Sequence, residues 1–253
     1  MMTDNDMLFD YLLRLGDNSL ILGQRLAEWC GHAPMLEEDL ALTNIGLDLL
    51  GQARMFLSYA GEVEGKGRDE DRLAYFRDTK DWRNLLLLEQ PNGDFAATMA
   101  RQFFFDSFQY LQFEALARSS DERLAGIAAK SLKETTYHRR HSTDWIIRLG
   151  DGTDESHEKM QRAIDAIWGY LPEMFDMDAV DDAMVADGIG VDVTALRTAW
   201  DGYVNDVLAE ATLIRPEDSW SVRGSRDGKH SEHLGYILAE MQFLPRAYPD
   251  AKW

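Results

Sequence analysis

Proline is the residue a helix interior tolerates least, and this chain has only six, at positions 34, 91, 172, 216, 245 and 249. The intervals 35–90 and 92–171 hold none, so nothing in the backbone prevents very long helices there. Hydrophobic spacing agrees. From Leu8, the positions Leu12, Leu15, Leu22, Leu26 and Trp29 recur every three, four or seven residues, as one face of a 3.6-residue helix requires, until Gly31-His32-Ala33-Pro34 stops it. A second run from Met35 keeps Leu40, Ile45, Leu47, Leu50, Ala53 and Leu57 in similar rhythm, and the glycine-rich, charged segment 61–67 reads as the loop that ends it.

Asp69-Glu70-Asp71 marks the start of a short helix, and Asn84 to Glu89 forms another short apolar piece before Pro91-Asn92-Gly93-Asp94. From Asp94 to Ser119 the chain is apolar nearly all round, including Phe103-Phe104-Phe105, which predicts a helix buried on several sides. Asp121 then caps a helix running to Leu149, and Thr153 caps the next, through Trp168 and beyond, with a bend at Pro172. Further helices are expected over about 194–211 and 230–247, separated by an irregular segment from Pro216. No set of alternating β-branched segments with hairpin signals is present. The expected fold is all-α, a single domain over 1–253, built on four long helices with additional ones.

With 45% hydrophobic residues in 253, the chain has material for a sizeable core. Its 26 basic and 45 acidic residues leave a formal charge of −19, which sets nucleic-acid binding against repulsion over most of the surface. The longest aliphatic run, Leu85 to Leu88, is far short of the roughly 20 residues a bilayer requires, and the acidic start Met1-Met2-Thr3-Asp4-Asn5-Asp6 is unlike a secretory signal. A cytoplasmic protein that binds neither membrane nor nucleic acid is the expectation. The single cysteine, Cys30, reads as a buried structural thiol, because no orienting third group accompanies it and His32.

A four-helix bundle can house a carboxylate-bridged di-iron centre, in which two helices each give one Glu and two others each give Glu-x-x-His. No histidine here has Glu three residues before it. Asp154 with His157 and Asp227 with His230 have the spacing but fall near loops or helix starts. Glu28 with His32 and Glu134 with His138 are four apart, which also shares a face; the plainer reading of each is a helix-surface or helix-end hydrogen bond. Arg223, Arg226 and Lys229 gather three cations in a chain of large negative charge, just before a helix N-terminus, where a phosphate is attracted; the alternative is an ordinary exposed loop. The same segment lacks the Gly-Lys-Ser/Thr ending of a P-loop.

Several long strings carry a more specific signal. Leu13-Arg14-Leu15-Gly16-Asp17-Asn18, Arg25-Leu26-Ala27-Glu28-Trp29-Cys30-Gly31-His32-Ala33-Pro34, Asn44-Ile45-Gly46-Leu47-Asp48-Leu49-Leu50-Gly51-Gln52-Ala53-Arg54, Glu89-Gln90-Pro91-Asn92-Gly93 and His230-Ser231-Glu232-His233-Leu234-Gly235 resemble the C-subunit family of ring-1,2-phenylacetyl-CoA epoxidases, over nearly the whole chain. The resemblance implies a ferritin-like four-helix bundle that pairs with a homologous catalytic A subunit, which holds the di-iron site. It also implies a complex that adds one oxygen atom of O₂ to the ring of phenylacetyl-CoA, with electrons from NADPH through a separate flavin and iron–sulfur reductase.

On that pattern, the metal positions of this chain fall at Gln24, Leu49, Gln52, Asp106, Thr135 and His138. One carboxylate and one imidazole remain where four carboxylates and two histidines are needed, so no metal or other cofactor is expected in this chain. Asp106, His138 and Gln52 are expected instead in a buried hydrogen-bonded cluster. The resemblance therefore implies a structural, non-catalytic subunit, with Arg223, Arg226 and Lys229 as candidate contacts for the CoA phosphates. The competing reading is an independent metalloenzyme using Glu134, His138 and further carboxylates.

Overall fold

A computed structural model describes residues 3–249 and 251. Helices and turns account for all regular structure among them, with no strand. The chain divides into two compact units, one formed by residues 1–91 with 223–253 and the other by Asn92–Val222.

The first unit is built on two long helices, α1 (Asp4–Ala27) and α2 (Leu36–Glu64). Thr3 caps α1 through a reciprocal box with Asp6, satisfying amides that the first turn leaves open. The connection turns at Gly31, where φ is +79°. The two helices approach closely where Gly23 faces Gly46: a Cβ on Gly23 would lie 3.4 Å from the Gly46 carbonyl oxygen and from Leu49 Cβ.

The expected loop from Gly61 begins later than the sequence implied, since α2 continues to Glu64 and ends at Gly65 with φ +68°. Gly61 is a helical residue whose missing side chain has a different cause. Arg68 folds back over it so closely that a Cβ would sit 2.0 Å from the Arg68 carbonyl oxygen, and Arg68 is ion-paired with Glu64.

Asp69 caps the short α3 (Glu70–Tyr75), as the acidic run predicted. Residues 84–89 form no helix; Leu85 to Leu88 are buried in turns. Their backbone is held by side chains of α1, with Asn18 Oδ1 accepting from the Leu85 amide at 2.8 Å. The last helix, α9 (Glu232–Ala247), packs on α3, and Gln242 Nε2 donates to the carbonyls of Ala74 and Arg77 at 3.0 Å each.

The second unit pairs α4 (Phe95–Leu116) with α5 (Glu122–Gly150). α4 is buried on nearly every side, as its composition required, and Asp94 and Asp121 cap the two helices. α6 (Asp154–Ile167) opens with a Thr153–Ser156 capping box. Pro172 does not bend a continuing helix: the chain tightens into a short 3₁₀ segment over Trp168–Phe175 that contains it. A short helix α7 (Ala179–Ala186) and the longer α8 (Val193–Glu210) complete the unit. Trp200 on α8 is fully buried against Phe104 and Phe175, with Nε1 donating to the Phe104 carbonyl at 3.1 Å.

One buried ion pair ties α3 and its following turn to α1. Arg77 donates through both terminal nitrogens to the fully buried Asp17, whose Oδ2 also accepts from the Arg83 amide at 2.9 Å. Removing the cation alone leaves an uncompensated buried carboxylate, a loss of about 3–5 kcal/mol for such pairs. Arg77→Ala is therefore expected to lower unfolding free energy by that order in a urea titration. A loss below about 1 kcal/mol would show that water reaches Asp17 and that the pair does not carry the packing of α3.

Candidate functional site

In the second unit, polar side chains line facing stripes of two helices that are otherwise rich in apolar residues. Gln102, Asp106 and Gln109 recur on α4 at spacings of four and three, and Ser131, Thr135, His138 and Ser142 on α5 at four, three and four. All seven are buried. The stripes are bonded to each other: Ser142 Oγ donates to Asp106 Oδ2 at 2.8 Å, and Thr135 Oγ1 donates to Gln109 Oε1 at 3.4 Å. One turn along α4, Gln102 Nε2 donates to Asp106 Oδ1 at 3.0 Å.

Burial dominates the electrostatics of Asp106, pushing its carboxyl up to about 7, while His138 and the bonds from Ser142 and Gln102 pull the other way. Near neutral pH the carboxyl is thus divided between its protonated and ionised forms.

Three of the remaining predicted positions lie in the first unit, two of them on α2. Leu49 is fully buried and offers no donor atom. Gln52 is also fully buried, and its Oε1 accepts from Ser19 Oγ of α1 at 3.4 Å. Gln24 on α1 is half-buried. Asp106, His138 and Thr135 therefore share one polar stripe system, and Gln52 has its own bonded neighbour on α1.

Iron at a dinuclear centre needs several anionic oxygen ligands to balance its charge. Leucine, two neutral amides and a threonine hydroxyl occupy four of the six positions, and the one carboxyl and one imidazole that remain do not fit that group. Among the described residues, no set of three or more His, Cys, Asp or Glu side chains is placed to hold a metal ion. Glu134 is half-buried and His138 fully buried on α5.

The histidine spacings resolve into structural contacts. His157 Nδ1 bonds the Gly150 carbonyl at 2.7 Å, joining the start of α6 to the end of α5. Glu28 is paired with Arg25 at 2.7 Å, and His32 is exposed. Cys30 is exposed, which corrects the expectation of a buried thiol: α1 ends at Ala27, and the turn that follows lifts residue 30 off the helix face.

His230 has a stronger partner than Asp227. Its side chain is 1% exposed, with Nδ1 2.9 Å from Glu89 Oε2 and Nε2 3.0 Å from the Trp82 carbonyl. A carbonyl oxygen can only accept, so Nε2 donates to Trp82, and Nδ1 is hydrogen-bonded to the Glu89 carboxyl. Glu89 also accepts from Asn84 Nδ2 at 3.1 Å and the Ser231 amide at 2.6 Å, while Arg25 donates to its main-chain oxygen at 2.6 Å. Sequence reading did not single out Glu89 as a site residue. The only signal was its place in one of the strings that carry the family resemblance.

That arrangement bears on the basic loop. Arg223 and Lys229 are exposed and Arg226 is half-buried, around a 3₁₀ turn at Ser225–Asp227. α9 starts at Glu232, two residues later than His230, and the Ser231 amide at its entrance already holds the carboxylate of Glu89. An anion at this loop would be held by the basic side chains, with that amide engaged internally.

The model of the phenylacetic acid catabolic protein family matches residues 1–253, and the chain belongs to that family. It is 55% identical over 243 residues to the C subunit of the 1,2-phenylacetyl-CoA epoxidase of Escherichia coli (strain K12), covering 96% of this chain and 98% of that relative.

The raised carboxyl of Asp106 makes a pH prediction. Between the unfolded value of about 4 and the folded value of about 7, the native state keeps a proton that the unfolded chain has lost. The stability it contributes is complete below pH 4 and is lost as pH rises through 7. Asp106→Asn keeps an acceptor for Gln102 and does not titrate, so its stability relative to the parent chain should rise from pH 4 to 7 and level off above. Urea titrations at pH 4.5, 6, 7 and 8 test this, and a difference that stays flat across them would refute it.

Proposed function

We propose that this chain is a structural, non-catalytic subunit of a multicomponent phenylacetyl-CoA 1,2-epoxidase in aerobic phenylacetate breakdown. The observation that carries the reading is the donor set on the long helices, where Leu49, Gln52 and Thr135 stand at expected ligand positions and leave Asp106 and His138 as the carboxyl and imidazole of the set. Membership of the phenylacetic acid catabolic family and the name of the Escherichia coli relative support the assignment to this pathway. The paired helices α1–α2 and α4–α5 supply the elements from which a ferritin-like bundle is made.

In this reading, the di-iron centre belongs to a homologous catalytic A subunit, and the flavin and iron–sulfur centres belong to a reductase. This chain would act by covering a face of the A subunit, so that the partner's ligand-bearing helices and substrate pocket are held in working geometry. The reading places the assembly in the cytoplasm; among the described residues no helix is long and apolar enough to cross a membrane. The polar stripes of α4 and α5 take on a positioning role here: their bonds fix helix register without reacting.

Co-expression with the A subunit, followed by size-exclusion chromatography, iron analysis and an epoxidation assay, tests the proposal. The expected result is a stable complex, iron accompanying the A subunit, and turnover that falls at least 10-fold when this chain is left out. An isolated chain that carries two irons and turns over substrate would overturn it.

The basic loop gives a separate expectation. If phosphate groups of CoA reach Arg223, Arg226 or Lys229, reversing these residues to Glu should raise substrate KM several-fold in the assembled complex, with kcat little changed. An unchanged KM would remove the loop from substrate binding and leave the subunit assignment intact.

A further inference from the structure

α9 already buries one side, through Leu234, Ile237, Leu238 and Gln242. Its other side is apolar as well. Tyr236 is 63% exposed, Phe243 66% and Leu244 49%, and Tyr248, just past the helix end, is 61% exposed. At about 100° per residue, positions 236, 240, 243, 244 and 247 fall within one strip of the helix surface. Glu240 is the only charged side chain in it.

The strip opens into a groove of about 490 Å³ between α9 and α3, walled by Tyr75, Phe76, Met241 and Pro245, with Asp71 and Glu240 on its border. No ion pair reaches either carboxylate among the described residues. Asp71 is in a mainly acidic setting: partial burial, Asp69 and Glu70 hold its carboxyl above the usual range, and Arg54 offsets only part of that. Arg246, the nearby cation of α9, is engaged with Asp78 at 3.1 Å and with the carbonyls of Tyr75 and Arg77.

A helix that is apolar on both sides is normally covered on both, and contiguous exposed apolar surface marks association. The charge of this surface selects the partner. A second copy of this chain would bring another body of charge −19, and its own Glu240, to a groove bordered by Asp71 and Glu240, where the exposed Arg72 is stacked on the Phe76 ring at 4.0 Å and leaves those two carboxylates to meet a partner. We propose that the α9 face and its groove dock a basic, amphipathic segment of another subunit of the same assembly, whose Lys or Arg side chains meet Asp71 and Glu240 while apolar ones cover Phe243, Leu244 and Tyr248. This rests on the reading of the chain as a subunit of a multicomponent enzyme.

The test uses the full chain co-expressed with the other epoxidase components. With Phe243 replaced by the photo-crosslinker p-benzoylphenylalanine, irradiation of the purified complex should give adducts that map to a segment of another subunit rich in Lys or Arg. The double reversal Asp71→Lys, Glu240→Lys should weaken association at least 10-fold at low salt while the thermal melt of the chain alone is unchanged. A complex that forms with parental affinity in the double variant, or that crosslinks from position 243 only to a second copy of this chain or to nothing, overturns the docking surface and leaves the subunit reading standing. Failure of the parental chain to assemble with any component overturns both.

Discussion

A carboxylate taken out of water must find a cation or a set of donors, or give up its charge. Much of the architecture follows from how three of them do so. Asp17 sits against the guanidinium of Arg77. Glu89 is hydrogen-bonded to His230 and accepts from Asn84 and Ser231. Asp106 has donors from Gln102 and Ser142, but burial outweighs them and the nearby His138, so its carboxyl titrates near neutrality. The first two pin chain segments in place. The third joins α4 to α5 through the bond from Ser142.

The Glu89 node explains why separate strings of this sequence point to one family. Asn18 anchors the turn that carries Leu85, Arg25 holds the Glu89 carbonyl, and His230 closes on the Glu89 carboxylate. Four of the five strings that carry the resemblance contribute to this buried knot or its immediate support. They are far apart in the chain, yet each supplies a donor or acceptor that the others would leave unsatisfied. A pattern built this way identifies a fold family through its structural polar contacts, independent of whether a reactive centre is present.

The long helices were legible because their signals are local. Thr3, Asp69, Asp94, Asp121 and Thr153 each cap the next helix through a side chain a few residues away. Contacts made at a distance were not. Gly61 read as a breaker because its sequence neighbours are glycines and charges, whereas its role is to leave room for Arg68. From sequence His230 offered only its three-residue spacing from Asp227, whereas it meets Glu89 across 141 residues. Cys30 read as buried because no orienting group accompanies it and His32, but helix α1 ends before it and the turn leaves it exposed. The polar stripe of α5 could be counted from sequence, yet its pairing with α4 needed the register of two helices.

A polar interior has a cost, and that cost constrains what the stripes are for. Apolar replacements of similar size would pack without the desolvation that Asp106, Gln102, Gln109 and Ser142 incur. What the polar groups add is direction. Ser142 must face Asp106 and Thr135 must face Gln109 for the bonds to form, so a slide of α4 along α5 by one turn would leave buried donors and acceptors unmatched. Leucine packing alone tolerates such a slide far better, since apolar contacts lack directionality. A subunit whose proposed task is to hold another's helices in place gains more from fixed register than from the last increment of stability, and buried facing stripes are where a bundle can carry directional contacts without exposing them to water.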